Sequence, residues 1–497
     1  MTARLPALLL VLAVAIVSAG YGMAVVAYEV FPFRIVRDAV LTSQTLAKAV
    51  GRTPYAGDFQ GFVALAPVDA PAARFGRPDT LAKVRAAAPA ADPPSRDGPG
   101  GGPNGGAGRT GFLAFGGPNQ YLDLCPETGC LAVVFDRDGR VRRAVPYRPE
   151  AVFAADIVEP GAYPYEAIDF DFAELSRPLG IVPYPDGDLL VVFQKAVGRR
   201  LFPFGAGVAR IAPDGTPRWF RFDYSHHWPA LAADGTAVVP ALAVREGPLE
   251  IPLHGDESLA VACAAERYYA DTVRLIDGKG AVVREYDVLA ALLRSPYRAV
   301  LQHTTDGCDP THLNYVDIVP PEAAEAIGGV AAGDLVVSLR NISAFAVLDA
   351  ESGDVRRLVR GTFIQQHSVQ HWRAGEYLVF DNQGGGPRSG PSRVLSVDLA
   401  SGEAERTLFP TLGHPRAYRD LFTVDAGKVH VSPERNRAVA TFSNMGQAVE
   451  FDLATGDVLT EFSNVHDVST VDILPEERNG SAGMFRLFGF DYINLEE

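Results

Sequence analysis

The most regular feature of the chain is a recurring pattern of two apolar strands joined by a turn that contains Asp and closes on Gly. Gly suits this point of a tight turn because φ is positive there, a conformation that residues with a Cβ adopt only at a cost. Repeated strand pairs of this kind predict an all-β fold built from similar sheets. The closing glycines of the six copies are Gly139, Gly215, Gly280, Gly353, Gly402 and Gly456.

A second strand pair precedes five of the six hairpins. These pairs lie around Asp188–Phe193, Thr236–Ala241, Asp334–Arg340, Glu376–Asp381 and Ala438–Ser443. The first hairpin follows a glycine-rich stretch instead, and we expect its missing strands at the far end of the chain, in Ser469–Leu474 and Gly483–Phe490. A chain whose last strands complete its first sheet forms a closed ring without exposed sheet edges. The sequence therefore predicts a six-bladed β-propeller over residues 111–497, closed by C-terminal strands.

The N-terminal part has a different pattern. Leu5 to Tyr28 form an almost uninterrupted apolar run, long enough to span a bilayer. A cleaved signal peptide has a shorter apolar core, so we expect residues 1–30 to form a transmembrane signal-anchor helix, with cleavage as the alternative. Residues 31–85 are then a membrane-proximal segment. Residues 86–110, rich in Ala, Pro and Gly, are predicted to be a flexible linker.

Charge and cysteine content narrow the range of partners and compartments. A net charge of −15 argues against nucleic acid, because phosphate binding needs clustered Lys and Arg. An anionic substrate would have to meet a local positive pocket. Four cysteines permit three pairings, of which Cys125 with Cys130 and Cys263 with Cys308 is the most economical. Disulfides would indicate an oxidising compartment, and buried free thiols are the alternative.

Histidines stand where three successive innermost strands are expected to begin: His226 and His227 in the third blade, His312 in the fourth and His367 in the fifth. His227 and His367 each precede a turn glycine by eight residues, so they occupy equivalent positions. Equivalent positions of neighbouring blades converge on the propeller axis. Arg340 ends the second strand of the fourth blade and is expected to turn back toward the same end.

Three converging histidines admit three interpretations. In the first, each histidine is a hydrogen-bonded structural residue. In the second, the three histidines together bind zinc. In the third, they act on an anionic substrate, with His as nucleophile and as acid or base beside a positive charge. The fixed charge of Arg340 disfavours zinc, and the sequence places no carboxylate as an obvious partner of the histidines. We expect no metal and no cofactor.

The order of several motifs resembles that of the bacterial arylsulfate sulfotransferases (arylsulfotransferases). The motifs are His-His followed by Asp-Gly, Thr-His-Leu-Asn, Ser-Leu-Arg-Asn, Gln-His, and Phe-Asp-Asn followed by Ser-Arg-Val; they occupy Ser225–Gly235, Asp309–Asp317, Val337–Ile342, Gln365–Ser368 and Phe380–Val394. The resemblance implies a periplasmic six-bladed propeller that moves a sulfuryl group from an aryl sulfate to a phenol by a ping-pong mechanism. It implies that His367 is the transiently sulfated nucleophile, with His227, His312 and Arg340 as catalytic companions.

Three further residues are predicted to bind substrate. His226 directly precedes His227, Asn314 matches a motif position, and Trp228, which follows His227, is the best candidate for stacking against a phenol. The expected partners are aryl sulfates, phenols and, through the N-terminal helix, the membrane. Two alternatives stay open: a non-catalytic, membrane-tethered propeller that serves as a binding scaffold, and a propeller hydrolase that releases sulfate to water.

Overall fold

The computed structural model describes residues 63–64, 74–76, 110–116, 121, 124–126, 128–154, 176–195, 205–263, 266–384, 390–402, 404–423, 425–466, 483–484 and 486–495. All of them belong to one unit, residues 57–497. No helix among them has the length and apolarity needed to cross a membrane. The predicted anchor, residues 1–30, and all of the predicted linker except Thr110 lie outside the described residues.

Six antiparallel sheets form the six blades of a propeller, which confirms the predicted architecture. Their strands are rich in β-branched and aromatic residues, which pack well on a pleated surface. From the innermost strand outward, blade 1 consists of Leu487–Asn494, Thr110–Gly116, Cys130–Phe135 and Val141–Pro146; blade 2 of Ser176–Pro183, Leu189–Lys195, Gly205–Ile211 and Pro217–Arg221; blade 3 of Ala230–Leu231, Ala237–Glu246, Arg267–Ile276 and Val282–Asp287; blade 4 of Leu313–Ile318, Leu335–Leu339, Ala344–Leu348 and Val355–Arg360; blade 5 of His367–Arg373, Glu376–Asp381, Arg393–Asp398 and Ala404–Phe409; and blade 6 of Lys428–Val431, Arg437–Phe442, Gln447–Asp452 and Val458–Ser463.

Smaller elements decorate the blades. Two short strands from the segment 31–85 join the propeller region, which the sequence did not predict: Arg74–Gly76 pairs with the outer strand of blade 6, and Val63–Ala64 pairs with Gly483–Met484, which also pairs with Val465–His466. Leu249–Pro252 and Ser258–Val261 form a separate hairpin. The described α-helices are Pro149–Ala154, Val288–Arg294, Pro321–Ile327 and Arg416–Arg419, and the 3-10 helices are Arg298–His303, Arg340–Ile342 and Ser443–Met445.

Blade 1 closes the ring in a way that differs from the prediction. A single C-terminal strand, Leu487–Asn494, pairs with Thr110–Gly116, which lies upstream of the first hairpin. The expected closure of blade 1 by the C-terminal end of the chain is confirmed, since residues 487–490 of the predicted strand Gly483–Phe490 belong to its innermost strand. The expectation of two C-terminal strands in this blade is wrong: Gly483–Met484 belongs to another sheet, and Ser469–Leu474 lies outside the described residues. Thr110–Gly116 was missed because it continues a glycine-rich stretch, yet its Phe112, Leu113 and Phe115 side chains are buried.

Aromatic packing reinforces this closure. The Phe490 ring stacks on Phe462 of blade 6 at a centroid distance of 4.4 Å and on Phe112 of its own blade at 4.7 Å. Such pairs contribute roughly 0.5–1.5 kcal/mol each beyond their burial.

The six predicted hairpin turns are also confirmed, since their closing glycines all have φ between 74° and 88°.

Both predicted disulfide pairings are confirmed. Cys125 is bonded to Cys130 across a turn of blade 1, and Cys263 is bonded to Cys308, forty-five residues further on. The second disulfide ties the segment after the extra hairpin to the loop that leads into the innermost strand of blade 4. That loop also carries Asp309 and His312.

Candidate functional site

The histidines predicted from the sequence meet at one end of the propeller channel. The His227 ring lies 5.0 Å from the His312 ring and 6.5 Å from the His367 ring, measured between centroids. His312 directly precedes the innermost strand of blade 4, and His367 begins that of blade 5. All three side chains are largely withdrawn from solvent. The expected convergence of equivalent positions is therefore observed.

The backbone at these positions is unusual. His227 has φ of 59°, His312 of 51°, and Ser368, next to His367, of 53°. The left-handed region is costly for residues with a Cβ, and such residues cluster where the surrounding structure enforces a functional geometry. Gly180 of blade 2 helps to enforce it, since a Cβ there would lie 2.4 Å from the His227 carbonyl oxygen. The histidines are held by packing of the backbone as well as by their side chains.

A single side chain, Asn382, fixes the orientation of His367. Its amide nitrogen donates to the carbonyl oxygens of Thr423, at 3.0 Å, and Ala426, at 2.9 Å. The amide oxygen therefore faces His367 Nδ1, 2.7 Å away, and accepts a hydrogen bond from its N–H. A neutral imidazole protonated at Nδ1 carries its lone pair on Nε2. Asn382 belongs to the Phe-Asp-Asn motif, but no site role was predicted for it from the sequence.

His312 has a carboxylate partner. Its Nδ1 contacts the Oδ2 atom of Asp309, three residues earlier, and Asn341 donates from its amide nitrogen to the Asp309 backbone carbonyl at 2.6 Å. The expectation that no carboxylate accompanies the histidines is wrong. Asp309 was inside a matched motif, but a loop with a left-handed residue does not reveal from sequence which side chains meet.

His226 lies behind His227 rather than beside His312 and His367. Its Nδ1 is 2.7 Å from His227 Nδ1, and its Nε2 is 3.5 Å from Asp271 Oδ1. Asp271 is itself anchored by blade 4, where Thr311 Oγ1 donates to it at 2.5 Å and the Leu313 backbone N–H at 2.8 Å. Asp271, His226 and His227 thus form a polar chain from blade 3 to the channel mouth. No motif in the sequence pointed to Asp271.

Arg340 returns to the same mouth, as expected. It starts the 3-10 helix after the second strand of blade 4, its backbone N–H donates to the His312 carbonyl at 3.1 Å, and its guanidinium donates to Asn341 Oδ1 at 2.8 Å. Burial lowers the pKa of Arg340, but nearby carboxylates, Asp425 first among them, oppose the shift. The group remains a cation at neutral pH.

The three imidazoles are neutral at neutral pH. Burial and the charge of Arg340 lower the pKa of His312 to about 3 and the pKa of His367 to about 3. Burial, followed by His226 and the other two histidines, lowers the pKa of His227 well below its ordinary value. Burial and Asp271 raise the pKa of the Asp309 carboxyl well above its ordinary value. The site therefore offers unprotonated imidazole nitrogens beside the fixed positive charge of Arg340.

Two predicted substrate-binding residues are fully buried. Trp228 is 0% exposed and stands edge-on to His367, with ring centroids 6.1 Å apart, so it packs against the histidine instead of presenting an open face. Asn314 is also 0% exposed, and its amide nitrogen donates to the Gln366 carbonyl at 2.8 Å. Its Oδ1 has no hydrogen-bond partner in the part of the chain that the structure describes. In that same part, no group of three or more His, Cys, Asp or Glu side chains is arranged to hold a metal ion.

Three solved structures illustrate the similarity, and each has low sequence identity to this chain. A Bacteroides caccae protein of unknown function shares 11% identity over 77% of this chain and 98% of its own, with a TM-score of 0.43. The Dos1 propeller shares 10% over 57% of this chain and 56% of its own, with a TM-score of 0.32. The virginiamycin B lyase of Staphylococcus aureus shares 10% over 62% and 94%, with a TM-score of 0.32. No curated protein matches the chain.

A family model matches the region that carries the histidine site. It spans residues 224–465, from just before His226 to the end of blade 6, and it describes the arylsulfotransferases (ASST). His227, His312, Arg340 and His367 all lie within it. These residues, just under half of the chain, match the arylsulfotransferase family, which confirms over this region the family resemblance predicted from the motifs.

Proposed function

We propose that the protein is a sulfotransferase that moves a sulfuryl group from an aryl sulfate to a phenol in two steps, with His367 as the nucleophile. The family match supports the reaction class. The observation that carries the mechanism is the hydrogen bond from His367 Nδ1 to Asn382 Oδ1, because it leaves Nε2 with a lone pair at the channel mouth. The low pKa of His367, about 3, keeps that nitrogen unprotonated at neutral pH.

In the first step, Nε2 of His367 attacks the sulfur of the aryl sulfate. The N–S bond forms, the S–O bond to the phenol breaks, and the phenolate leaves with the electron pair. The imidazole gains a positive charge, which the hydrogen bond from Nδ1–H to Asn382 Oδ1 stabilises. A transferring sulfuryl group spreads negative charge over its equatorial oxygens, as a phosphoryl group does, and the planar guanidinium of Arg340 can hold two of them.

In the second step, the acceptor phenol loses its proton to a neutral imidazole, and its oxygen attacks the sulfur. The N–S bond breaks, which returns His367 to its neutral form. His227 and His312 are the available bases, and the contact of Asp309 Oδ2 with His312 Nδ1 orients the His312 ring. General acid–base catalysis of this kind typically contributes about 10²–10⁴-fold.

The location of the reaction is also a proposal. Two disulfides support an oxidising, extracytoplasmic compartment, because disulfides persist there and are rare in the cytosol. The apolar run Leu5–Tyr28 supports attachment to the membrane. Aryl sulfates and phenols would then reach the catalytic domain on the outer side of that membrane.

The test is to incubate the protein with 4-nitrophenyl sulfate, with and without added phenol, and to follow 4-nitrophenol release and the mass of the intact protein. We expect phenol-dependent release, and a protein heavier by one SO3 group when no phenol is present. His367→Asn should abolish both signals, whereas His371→Asn, on the same strand, should retain them. Equal release with and without phenol would indicate hydrolysis, and no release from any aryl sulfate would refute the proposal.

A further inference from the structure

The ring of His226 lies directly behind that of His227, and the reaction as proposed above makes no use of it. His226 is 3% exposed, and its backbone N–H donates to the Pro240 carbonyl at 2.9 Å. The two rings are nearly perpendicular, at 86°, and their Nδ1 atoms are 2.7 Å apart. Two ring nitrogens at this distance share one proton in a hydrogen bond, because two lone pairs would repel each other, as would two N–H groups.

The carboxylate of Asp271 determines which of the two nitrogens donates. The side chain is 1% exposed, and its Oδ2 atom accepts hydrogen bonds from the Thr311 hydroxyl and the Leu313 N–H, as an ionised carboxylate does. Its Oδ1 atom lies 3.5 Å from His226 Nε2, which has no hydrogen-bond partner among the residues that the structure describes. A negative oxygen at that place favours a proton on Nε2, so the lone pair of His226 is on Nδ1.

The direction of this hydrogen bond fixes the tautomer of His227. Since His226 Nδ1 accepts, His227 Nδ1 donates, and the lone pair of the neutral His227 ring is on Nε2. A base in the site needs a lone pair of this kind. Asp271 therefore acts on the histidine pair as the aspartate of a Ser-His-Asp triad acts on its histidine: it selects the tautomer and holds the ring.

A positive charge is unfavourable on His227 itself. Burial lowers the pKa of His227 well below its ordinary value. Four neighbouring groups lower this pKa further: His226, His312, His367 and Arg340. The position of His226 differs, because the Asp271 carboxylate faces its Nε2 atom. A proton that moves one ring further from the channel therefore reaches a place where a negative charge stabilises it.

We propose that His227 passes the proton of the acceptor phenol on to His226, and that Asp271 is the positioning residue of this relay. The inference rests on the proposed function and assigns the base of its second step. The phenol O–H bond breaks as the proton binds His227 Nε2, and the proton on His227 Nδ1 passes to His226 Nδ1. The phenol oxygen forms a bond to sulfur, and the electron pair of the N–S bond returns to His367. His226 is then an imidazolium beside the Asp271 carboxylate, and it loses the proton by the same path when the product has left.

The experiment separates the two steps, because 4-nitrophenolate leaves without a proton and the relay is needed only in the second step. The protein is sulfated with 4-nitrophenyl sulfate, freed of 4-nitrophenol by gel filtration, and mixed with an acceptor. The mass of the intact protein follows the loss of the SO3 group. Two acceptors are compared: phenol, which is protonated at neutral pH, and pentafluorophenol, which is ionised and needs no base.

Asp271→Asn keeps the shape of the side chain, removes its charge, and offers an amide N–H to His226 Nε2, which reverses the hydrogen bond between the two rings. Sulfation should keep close to its wild-type rate. Transfer to phenol should slow by roughly 10²-fold, the lower end of what general base catalysis contributes, whereas transfer to pentafluorophenol should change little. His226→Asn, which keeps a hydrogen-bonding atom near the place of Nδ1 but takes up no proton, should show the same selectivity.

Asp334→Asn is the matched control, because Asp334 is also 1% exposed and pairs with Arg356 at 2.9 Å within blade 4. It should keep the wild-type rates of both steps, and circular dichroism reports whether each variant is folded. Equal slowing of both steps, or of transfer to both acceptors, in Asp271→Asn would indicate a structural role and overturn the relay. The proposed function would then still stand, because the wild type is sulfated and transfers the group.

The tautomer of His227 provides a measurement without turnover. In NMR spectra of protein with isotope-labelled histidine, assigned with His227→Gln, we expect His227 to be protonated at Nδ1 in the wild type and at Nε2 in Asp271→Asn. A wild-type His227 that is protonated at Nε2 would refute the relay alone. Absence of sulfation in the wild type would refute the proposed function and the relay together.

Discussion

The amide oxygen of Asn382 accepts a hydrogen bond from His367 Nδ1 at 2.7 Å, and the rest of the Asn382 side chain cannot turn away without breaking two bonds to backbone carbonyls. The side chain therefore does more than fill space between blades 5 and 6. It selects one tautomer of the proposed nucleophile and holds the ring in one rotamer. A residue in this place acts through His367 and is a positioning residue.

Asn382→Ala removes that selection. Loss of the hydrogen bond and of the fixed ring should lower kcat/KM by roughly tenfold to a hundredfold, the equivalent of about 1–3 kcal/mol. Asn382→Asp keeps the shape but places a carboxylate beside Nδ1, which should raise the pKa of His367 and shift the acid limb of the pH–rate profile upward. A merely structural role for Asn382 would leave the acid limb of the Asp variant where it is in the wild type. The wild-type and variant profiles in the same buffers give the comparison.

Arg340→Lys tests the geometry of the positive charge. A lysine keeps the charge but lacks the planar fork that binds two oxygens at once, so we expect kcat to fall by about 10²–10³-fold, as when one transition-state donor is lost. In Arg340→Gln, which also removes the charge, kcat should fall at least as far. Arg393→Lys is the control, since Arg393 pairs with Asp381 at 2.8 Å within blade 5. Wild-type kcat in Arg340→Lys would exclude the bidentate role.

The pH dependence of activity follows from the low pKa of His367. An ordinary histidine, with a pKa near 6.5, is half protonated at that pH, whereas His367, with a pKa of about 3, keeps its lone pair. Single-turnover release of 4-nitrophenol should therefore stay nearly constant from pH 8 to pH 5. A rate that halves near pH 6.5 would contradict the proposal that His367 is a buried, neutral nucleophile.

The free energy of unfolding, unlike the rate, should depend on pH over the same interval. The unfolded chain binds more protons than the folded chain between the folded pKa of about 3 and the unfolded value near 6.5, so the free energy of unfolding falls as the pH falls through that window. The midpoint of thermal unfolding should drop from pH 7 to pH 5. In His312→Gln the midpoint should drop less, because the variant lacks one group that takes up a proton on unfolding. An equal drop in the variant would show that His312 does not have a lowered pKa in the folded protein.

Cys308 directly precedes Asp309, so its disulfide with Cys263 should matter for activity as well as for stability. Replacing both cysteines by serine should cost about 4 kcal/mol for a separation of 45 residues and should lower kcat, since the loop with Asp309 and His312 loses its anchor. The pair Cys125 and Cys130, separated by five residues, is the control: its replacement should cost about 2 kcal/mol and leave kcat unchanged. Urea unfolding and steady-state rates measure the two effects, and an unchanged kcat in the first variant would contradict the anchor.

The periodic sequence was sufficient to predict the propeller because each blade follows the same local rule: two apolar strands joined by a turn that closes on glycine. Six turn glycines needed positive φ, and six were observed. The same rule located His227, His312 and His367, because equivalent strand starts converge. What it could not supply were contacts made across the ring or inside irregular loops. Asp271 reaches His226 from the third strand of blade 3, and Asp309 reaches His312 through a left-handed turn. Thr110–Gly116 was missed because it directly follows the glycine-rich linker, while its aromatic residues are buried only once a distant strand pairs with them.

The pairing of Thr110–Gly116 with Leu487–Asn494 joins the beginning of the described ring to its end. While the chain is being synthesised, blade 1 waits for a strand made hundreds of residues later, and contacts of such long sequence separation form slowly. That strand also contacts the innermost strands of blades 2 and 6, so the inner wall of the ring is complete only after it has paired. A growing chain that has not yet made Leu487–Asn494 therefore cannot carry a finished channel.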